Sequence, residues 1–333
     1  MIKRDGDRVW LDLDEFYPPP KQHPNTVFKS LAIAFQACGA TTTYAELMGV
    51  SAAAFRLQVG GYLCPSSPHP HLGFPCAKLA RQALGYELHQ HEWDGRKPRK
   101  VKKAKQAVVR SIDSGRPAIT VDEEEGLAVG YLDGGERLLV RDPYSGKGDA
   151  PEELPQDWQG WGMTTISKLA SAPTRDAVVA SLRTAAKLAT TTELLGKSYA
   201  SGYAAYDRWM AALRDPAFLE SADTGAEAVV LGNAHIYYSL VDARHCAAEY
   251  LRNTATRLVP ETEEPLRSLA ELYDRMVQVL DEGWQHVPWP WQLKALSEWS
   301  EDHRSRQAGV LSAALELERE AIAKLDQGLA LLE

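Results

Sequence analysis

The sequence predicts an α+β domain over residues 1–170, joined to an all-α helical bundle over residues 176–333. Three observations lead there. The chain has 333 residues, beyond the roughly 250–300 at which a single core stops growing, so two domains are the starting expectation. In the first half, helical periods alternate with short apolar runs, and Asp133-Gly134-Gly135 between two such runs is hairpin chemistry. From Asp176 onward strand signals vanish, and apolar residues recur only at helical spacing.

Each element follows from local pattern. Val27, Leu31, Ala34 and Phe35 form a helical stripe between Asn25, a suitable N-cap, and Gly39, a terminator, so Thr26 to Ala37 reads as a buried helix. Thr43 and Glu46 stand at capping-box spacing before a short apolar turn. SAAAFRLQVGGYLC, Ser51 to Cys64, reads as a passage into extended chain. AKLARQALGYELHQHEW gives a helix ended by Gly85 and a strand after it. The basic run RKPRKVKKAK, Arg96 to Lys105, opens a helix reaching Gly115, with Val101, Ala104, Val108 and Ile112 inward and the charges as a solvated face. PAITVD, GLAVGYLDGG, ERLLVRD and GMTTISKL follow as strands, and SAPTRD, Ser171 to Asp176, is the linker. The bundle then runs from RDAVVASLRTAAKLATTTELLG to the terminal HRSRQAGVLSAALELEREAIAKLDQGLALLE, with no repeat of fixed period.

Composition narrows the function classes. A formal charge of −8, from 37 basic and 45 acidic residues, offers no general attraction to phosphate backbones, so no nucleic acid partner is expected. No apolar run approaches the roughly 18 residues of a membrane span, and the charged start MIKRDGDRVWLDLDEFY is unlike a secretory signal. The expectation is a soluble, cytoplasmic chain with no membrane partner; its oligomeric state is left open. The cysteines then read as thiols or ligands rather than a disulfide framework.

An early helix, and much later a strand, an Asp-Gly-Gly hairpin and a strand ending in Asp-Pro, is the order of elements in papain-like cysteine peptidases. Gln22 and, from Pro24, PNTVFKSLAIAFQACG resemble the opening of the bacteriocin-leader peptidase family. TTYAELMGVSAAAFRLQ and GLAVGYLDGGERLLVRDPYSG resemble the related N-terminal domain of the butirosin-biosynthesis acyltransferases, which a helical region follows. The resemblance covers roughly residues 20–168 and implies a bacterial protein with a papain-like fold. In those families a cysteine at a helix N-terminus is the nucleophile, its thiolate stabilised by the helix dipole and an imidazolium, while a preceding glutamine supplies an oxyanion donor.

Here the nucleophile's place falls on Val27, Phe28 or Lys29, none of which carries a thiol, and the histidine's place falls on Glu125 or Gly126. Gln22 matches the oxyanion donor and Asp142 the acid that would orient the imidazole; as plain structure they are a loop amide and a turn-capping carboxylate. Loss of nucleophile and base together removes the standard thiol mechanism. The resemblance thus implies a pseudoenzyme, a binding or scaffold protein whose cleft is lined by Gln22, Asn25, Lys29, Glu125 and Asp142. Its ligand would be a peptide or an acyl-linked small molecule.

Two alternatives rest on CPSSPHPHLGFPC. Cys64 with His69 or His71 would make a cysteine peptidase or acyltransferase, and Cys64, His69, His71 and Cys76 have the residue types of a zinc site. Against both stand the prolines, which limit how tightly this segment curls; a packed loop is the plainer reading. Cys38 lies at the far end of the first helix, and His245 and Cys246, adjacent on a helix, point about 100° apart. His235 and Glu249 read as ordinary helix residues. His89 and His91 share one face of a strand, a solvent-facing pair rather than metal ligands, and Trp284, Trp289 and Trp291 with His286 form a rigid aromatic turn that locks a bundle end or, alternatively, covers a ligand or partner.

Overall fold

The computed structural model describes residues 1–13, 25–142, 150–194, 198–215 and 225–332. In chain order the elements are β1 (Ile2–Asp5), β2 (Arg8–Leu11), α1 (Thr26–Ala37), α2 (Tyr44–Val50), β3 (Gln58–Gly60), α3 (Cys76–Leu84), β4 (Glu87–Glu92), α4 (Pro98–Asp113), β5 (Ala118–Val121), β6 (Gly126–Leu132), β7 (Arg137–Arg141), β8 (Glu152–Glu153) and β9 (Gly162–Lys168). After these come α5 (Arg175–Thr190), β10 (Glu193–Leu194), β11 (Tyr199–Ser201), α6 (Gly202–Arg214), α7 (Ala226–Tyr250), α8 (Glu263–Glu282) and α9 (Glu301–Ala330). The chain is mixed α+β with antiparallel sheets and a helical C-terminal region. Among the described residues no helix is long and apolar enough to cross a membrane.

The described residues form two compact units. One holds 1–13, 26–44, 84–142 and 150–172; the other holds 25, 45–83, 173–194, 198–215 and 225–332. In the first, an antiparallel sheet runs β1-β2-β6-β5-β9-β4, with β7 on β6 and β8 on β7. β6 is its hub. The start of β6 pairs with β5 (Thr120 opposite Gly126), its later part with β2 (Trp10 opposite Gly130), and β7 follows its other edge. Gly130 permits this crowding, because a Cβ there would meet the Val9 carbonyl oxygen at 2.5 Å. Ala104, Val108 and Ile112 of α4 pack onto Val9, Leu11, Ala118, Ala128, Leu138 and Met163, forming a core on the sheet. α1 packs on β5 and β6, and its residues are buried almost all round, the signature of a core helix.

The β6–β7 turn matches its sequence reading. Asp133, Gly134 and Gly135 all adopt positive φ, at 51°, 64° and 102°. The N-terminal hairpin β1–β2 is additional, turning at Gly6 with φ 58°. Its charged residues mark an edge of the sheet, since β1 is largely exposed and only alternate residues of β2 are buried.

The second unit differs from the expectation in two respects. β10 and β11 lie inside the segment read as purely helical, and with β3 they form a small antiparallel sheet. The helix from Arg175 stops at Thr190, where the Thr190 and Thr191 hydroxyls bond back to the Lys187 carbonyl. This unit also takes in residues 45–83, beyond the expected division at 170–176. Strand pairing explains part of that, as β3 pairs with β11; packing explains the rest. Gly49 lies against the Tyr250 ring so closely that a Cβ would sit 2.1 Å from it, and Phe55 contacts the rings of Tyr250 and Tyr273. The helices meet around a polar core in which Arg244 pairs with Glu318 at 2.6 Å, and Asn233 links Trp209 to Gln307.

Candidate functional site

The N-terminus of α1 faces the start of β6. Thr26, the first residue of α1, donates its hydroxyl to Glu125 Oε2 at 2.7 Å and accepts from the Glu125 backbone N–H at 3.2 Å. One turn on, the Ser30 hydroxyl donates to the Glu125 carbonyl at 3.1 Å. The first turn of α1 has no acidic residue of its own, so Glu125 brings the carboxyl that the positive end of the helix dipole favours. Thr26 and Glu125 are only 9% and 4% exposed.

At the next position no side chain fits. A Cβ on Gly126 would lie 2.6 Å from the Arg141 carbonyl oxygen and 3.2 Å from the Cα of Asp142. Of the two positions matched to the family's histidine, only Glu125 has room for a side chain, and the backbone of Asp142 abuts the same strand end. Val27 and Phe28 are buried, whereas Lys29 is half-buried with its ammonium 5.5 Å from the Tyr44 ring centre. Gln22 lies outside the described residues. Asn25 belongs to the other unit, where it lines a small cavity of about 30 Å³ with Arg56, Gln58, Ser239 and Asp242, room for about one water.

Residues 64–76 are wound around a buried guanidinium. Arg56 donates to the carbonyls of Pro68 (2.5 Å), His69 (3.1 Å), Leu72 (2.9 Å) and Phe74 (3.0 Å). Gln58 adds its amide N–H to the carbonyls of Ser67 and Leu72, and the Ser67 hydroxyl accepts from the Gly60 N–H. These bonds set the curvature of the segment. Cys76 begins α3 fully buried, and burial pushes its thiol up despite the nearby Arg56 charge. The Tyr62 phenol is raised above its ordinary value, chiefly by the neighbouring Cys64 thiol. The His71 N–H donates to His69 Nδ1 at 3.3 Å, and the two rings are 5.5 Å apart. Among the described residues no group of three or more His, Cys, Asp or Glu is placed to hold a metal ion. Cys64, His69, His71 and Cys76 therefore do not converge as a tetrahedral set.

The remaining candidates sit in ordinary packing. Burial raises the Cys38 thiol, and Cys246 is buried in α7. His91 shares a 2.8 Å hydrogen bond with Thr165 and is lowered by burial first, then by the charges of His89 and Arg110. Trp289 stacks on Trp291 and contacts the rings of Tyr238 and His235, an aromatic ladder along α7. Sequence reasoning missed Thr26 and Ser30 as site residues. Their signal is weak but physical: hydroxyls one turn apart on a helix that lacks an acidic first turn. Compared with models of known protein families and with curated proteins, the chain matches none.

Proposed function

We propose that the chain is a papain-like-fold binding protein, built on the layout of the leader peptidases and butirosin acyltransferases, that takes a peptide or an acyl-linked group at the Thr26–Glu125 end of α1 without turning it over. The observation that carries this reading is the reciprocal Thr26–Glu125 pair: Glu125 is one of the two positions the resemblance gives to the histidine, and Thr26 directly precedes Val27, the first it gives to the cysteine. A nucleophile–base pair needs an atom free to attack. The Thr26 hydroxyl spends both its donor and an acceptor site on one residue, and a carboxylate replaces the imidazole that would take and return a proton. Lys29 and Asp142 supply opposite charges beside it, suited to holding the polar backbone or termini of a ligand.

The experiment is an assay of purified protein with short S-acyl thioesters and with unstructured peptides. The expected result is no cleavage above the buffer rate, together with retention of peptides from a random library that Lys29→Ala weakens at unchanged circular dichroism. Turnover that Cys64→Ser abolishes would overturn the reading in favour of a cysteine-dependent enzyme.

A further inference from the structure

The flank of α4 next to its core stripe is not a plain solvated face. Pro98, Val101, Lys102, Lys105, Val109 and Arg110 recur there at helical spacing and line a groove of about 760 Å³ within the first unit, inside the roughly 300–1,000 Å³ range of small-molecule sites. Its floor is apolar. Val101, Val109, Leu154 and Trp158 pack against the core yet keep part of their surface open. The Trp158 indole is held in place by a 2.7 Å hydrogen bond to Asp122 and an edge contact with Trp93 at 5.1 Å.

The rim carries four cations, Lys102, Lys105, Arg110 and Arg137, against two carboxylates, Glu136 and Glu153. Arg137 is neutralised by Asp133 and Glu153, and Lys105 is anchored on the Glu136 carbonyl. Among the described residues no carboxylate pairs with Lys102 or Arg110, although the chain as a whole carries −8. At the start of the helix, Lys97 and Lys100 pair with Glu92. An excess of positive charge over a fixed apolar floor, on an acidic protein, selects for a ligand with complementary halves.

We infer that the α4 groove binds a small amphipathic anion, a phosphate or carboxylate head on an apolar body, with the head at Lys102 and Arg110 and the body on Val101, Val109 and Trp158. The site is separate from the cleft proposed above and does not depend on it.

Octyl phosphate, octyltrimethylammonium and inorganic phosphate are titrated into the full chain by calorimetry. Octyl phosphate binds with one-to-one stoichiometry, inorganic phosphate binds about tenfold or more weakly, and the ammonium amphiphile does not bind. Lys102→Glu with Arg110→Glu lowers octyl phosphate affinity about tenfold or more at unchanged circular dichroism; if that variant misfolds, Lys102→Gln with Arg110→Gln gives a smaller loss in the same direction. Equal affinity in variant and wild type, or equal binding of the cationic amphiphile, overturns the proposal. So does sedimentation of the chain with phosphatidylserine vesicles without binding of monomeric octyl phosphate, which would make the groove a membrane contact.

Discussion

Arg244→Met lowers the unfolding free energy by about 3–5 kcal/mol, and Glu318→Gln has an effect of the same order, because either change leaves a buried group without its partner. The two side chains are 1% and 3% exposed. Arg244 Nε donates to Glu318 Oε2 at 2.8 Å and Nη1 to the Ala54 carbonyl at 2.9 Å, while the Tyr206 and Tyr273 hydroxyls donate to the same carboxylate. Burial works to lower the pKa of Arg244, yet Glu318 and the two phenols outweigh it, so the guanidinium is held above its ordinary value. Arg244→Met with Glu318→Leu should recover much of the single-variant loss, since a buried pair often breaks even against apolar residues of similar volume. Urea denaturation of the single and double variants checks this; single losses below about 1 kcal/mol would show the pair to be dispensable. The same core sets an alkaline limit. Tyr206 and Tyr273 are raised first by burial and then by Glu318, so their protonated forms favour the folded state. That stability is fully present below the ordinary phenol value near ~10 and is lost as pH rises above it.

Arg56→Lys releases the segment from Cys64 to Cys76. Lysine cannot offer the flat fork that reaches the carbonyls of Pro68, His69, Leu72 and Phe74 together, and each buried acceptor left unsatisfied costs about 1–3 kcal/mol. The expected readouts are a loss of several kcal/mol in stability and rapid labelling of Cys76, which is fully buried in the wild type. Unchanged Cys76 labelling would show that proline stiffness, not the guanidinium, shapes this loop.

How much of this was legible in the sequence differs by element. α1, α4 and the strands β5, β6, β7 and β9 announce themselves through period, caps and the Asp133-Gly134-Gly135 turn, all local signals. β3, β10 and β11 do not, because short strands such as Glu193–Leu194 exist only through the partners they meet. The assignment of residues 45–83 to the helical unit is equally non-local, resting on Gly49 against Tyr250 and Ala54 against Arg244. At the candidate site, Glu125 was named because it stands where a histidine was expected. Thr26 escapes because Asn25, one residue before it, already reads as the cap. The chemistry of CPSSPHPHLGFPC pointed to metal or nucleophile, but its organiser, Arg56, bonds backbone carbonyls, and those have no signature in residue types.

The proposed layout is tested most directly by building a thiol–imidazole pair at the two residues that the end of α1 and the start of β6 bring together. Thr26→Cys and Glu125→His are combined with alanine at Cys38, Cys64, Cys76 and Cys246, and the ultraviolet absorbance of the thiolate is followed against pH. The Ser30 bond to the residue-125 carbonyl survives these changes, so the backbone frame is kept. If the end of α1 meets β6 as nucleophile meets base, the helix dipole and the imidazolium hold the new thiol in the range of roughly 3.5–7.5. A folded variant whose thiol titrates at or above the ~8.5 of a free cysteine would contradict the layout.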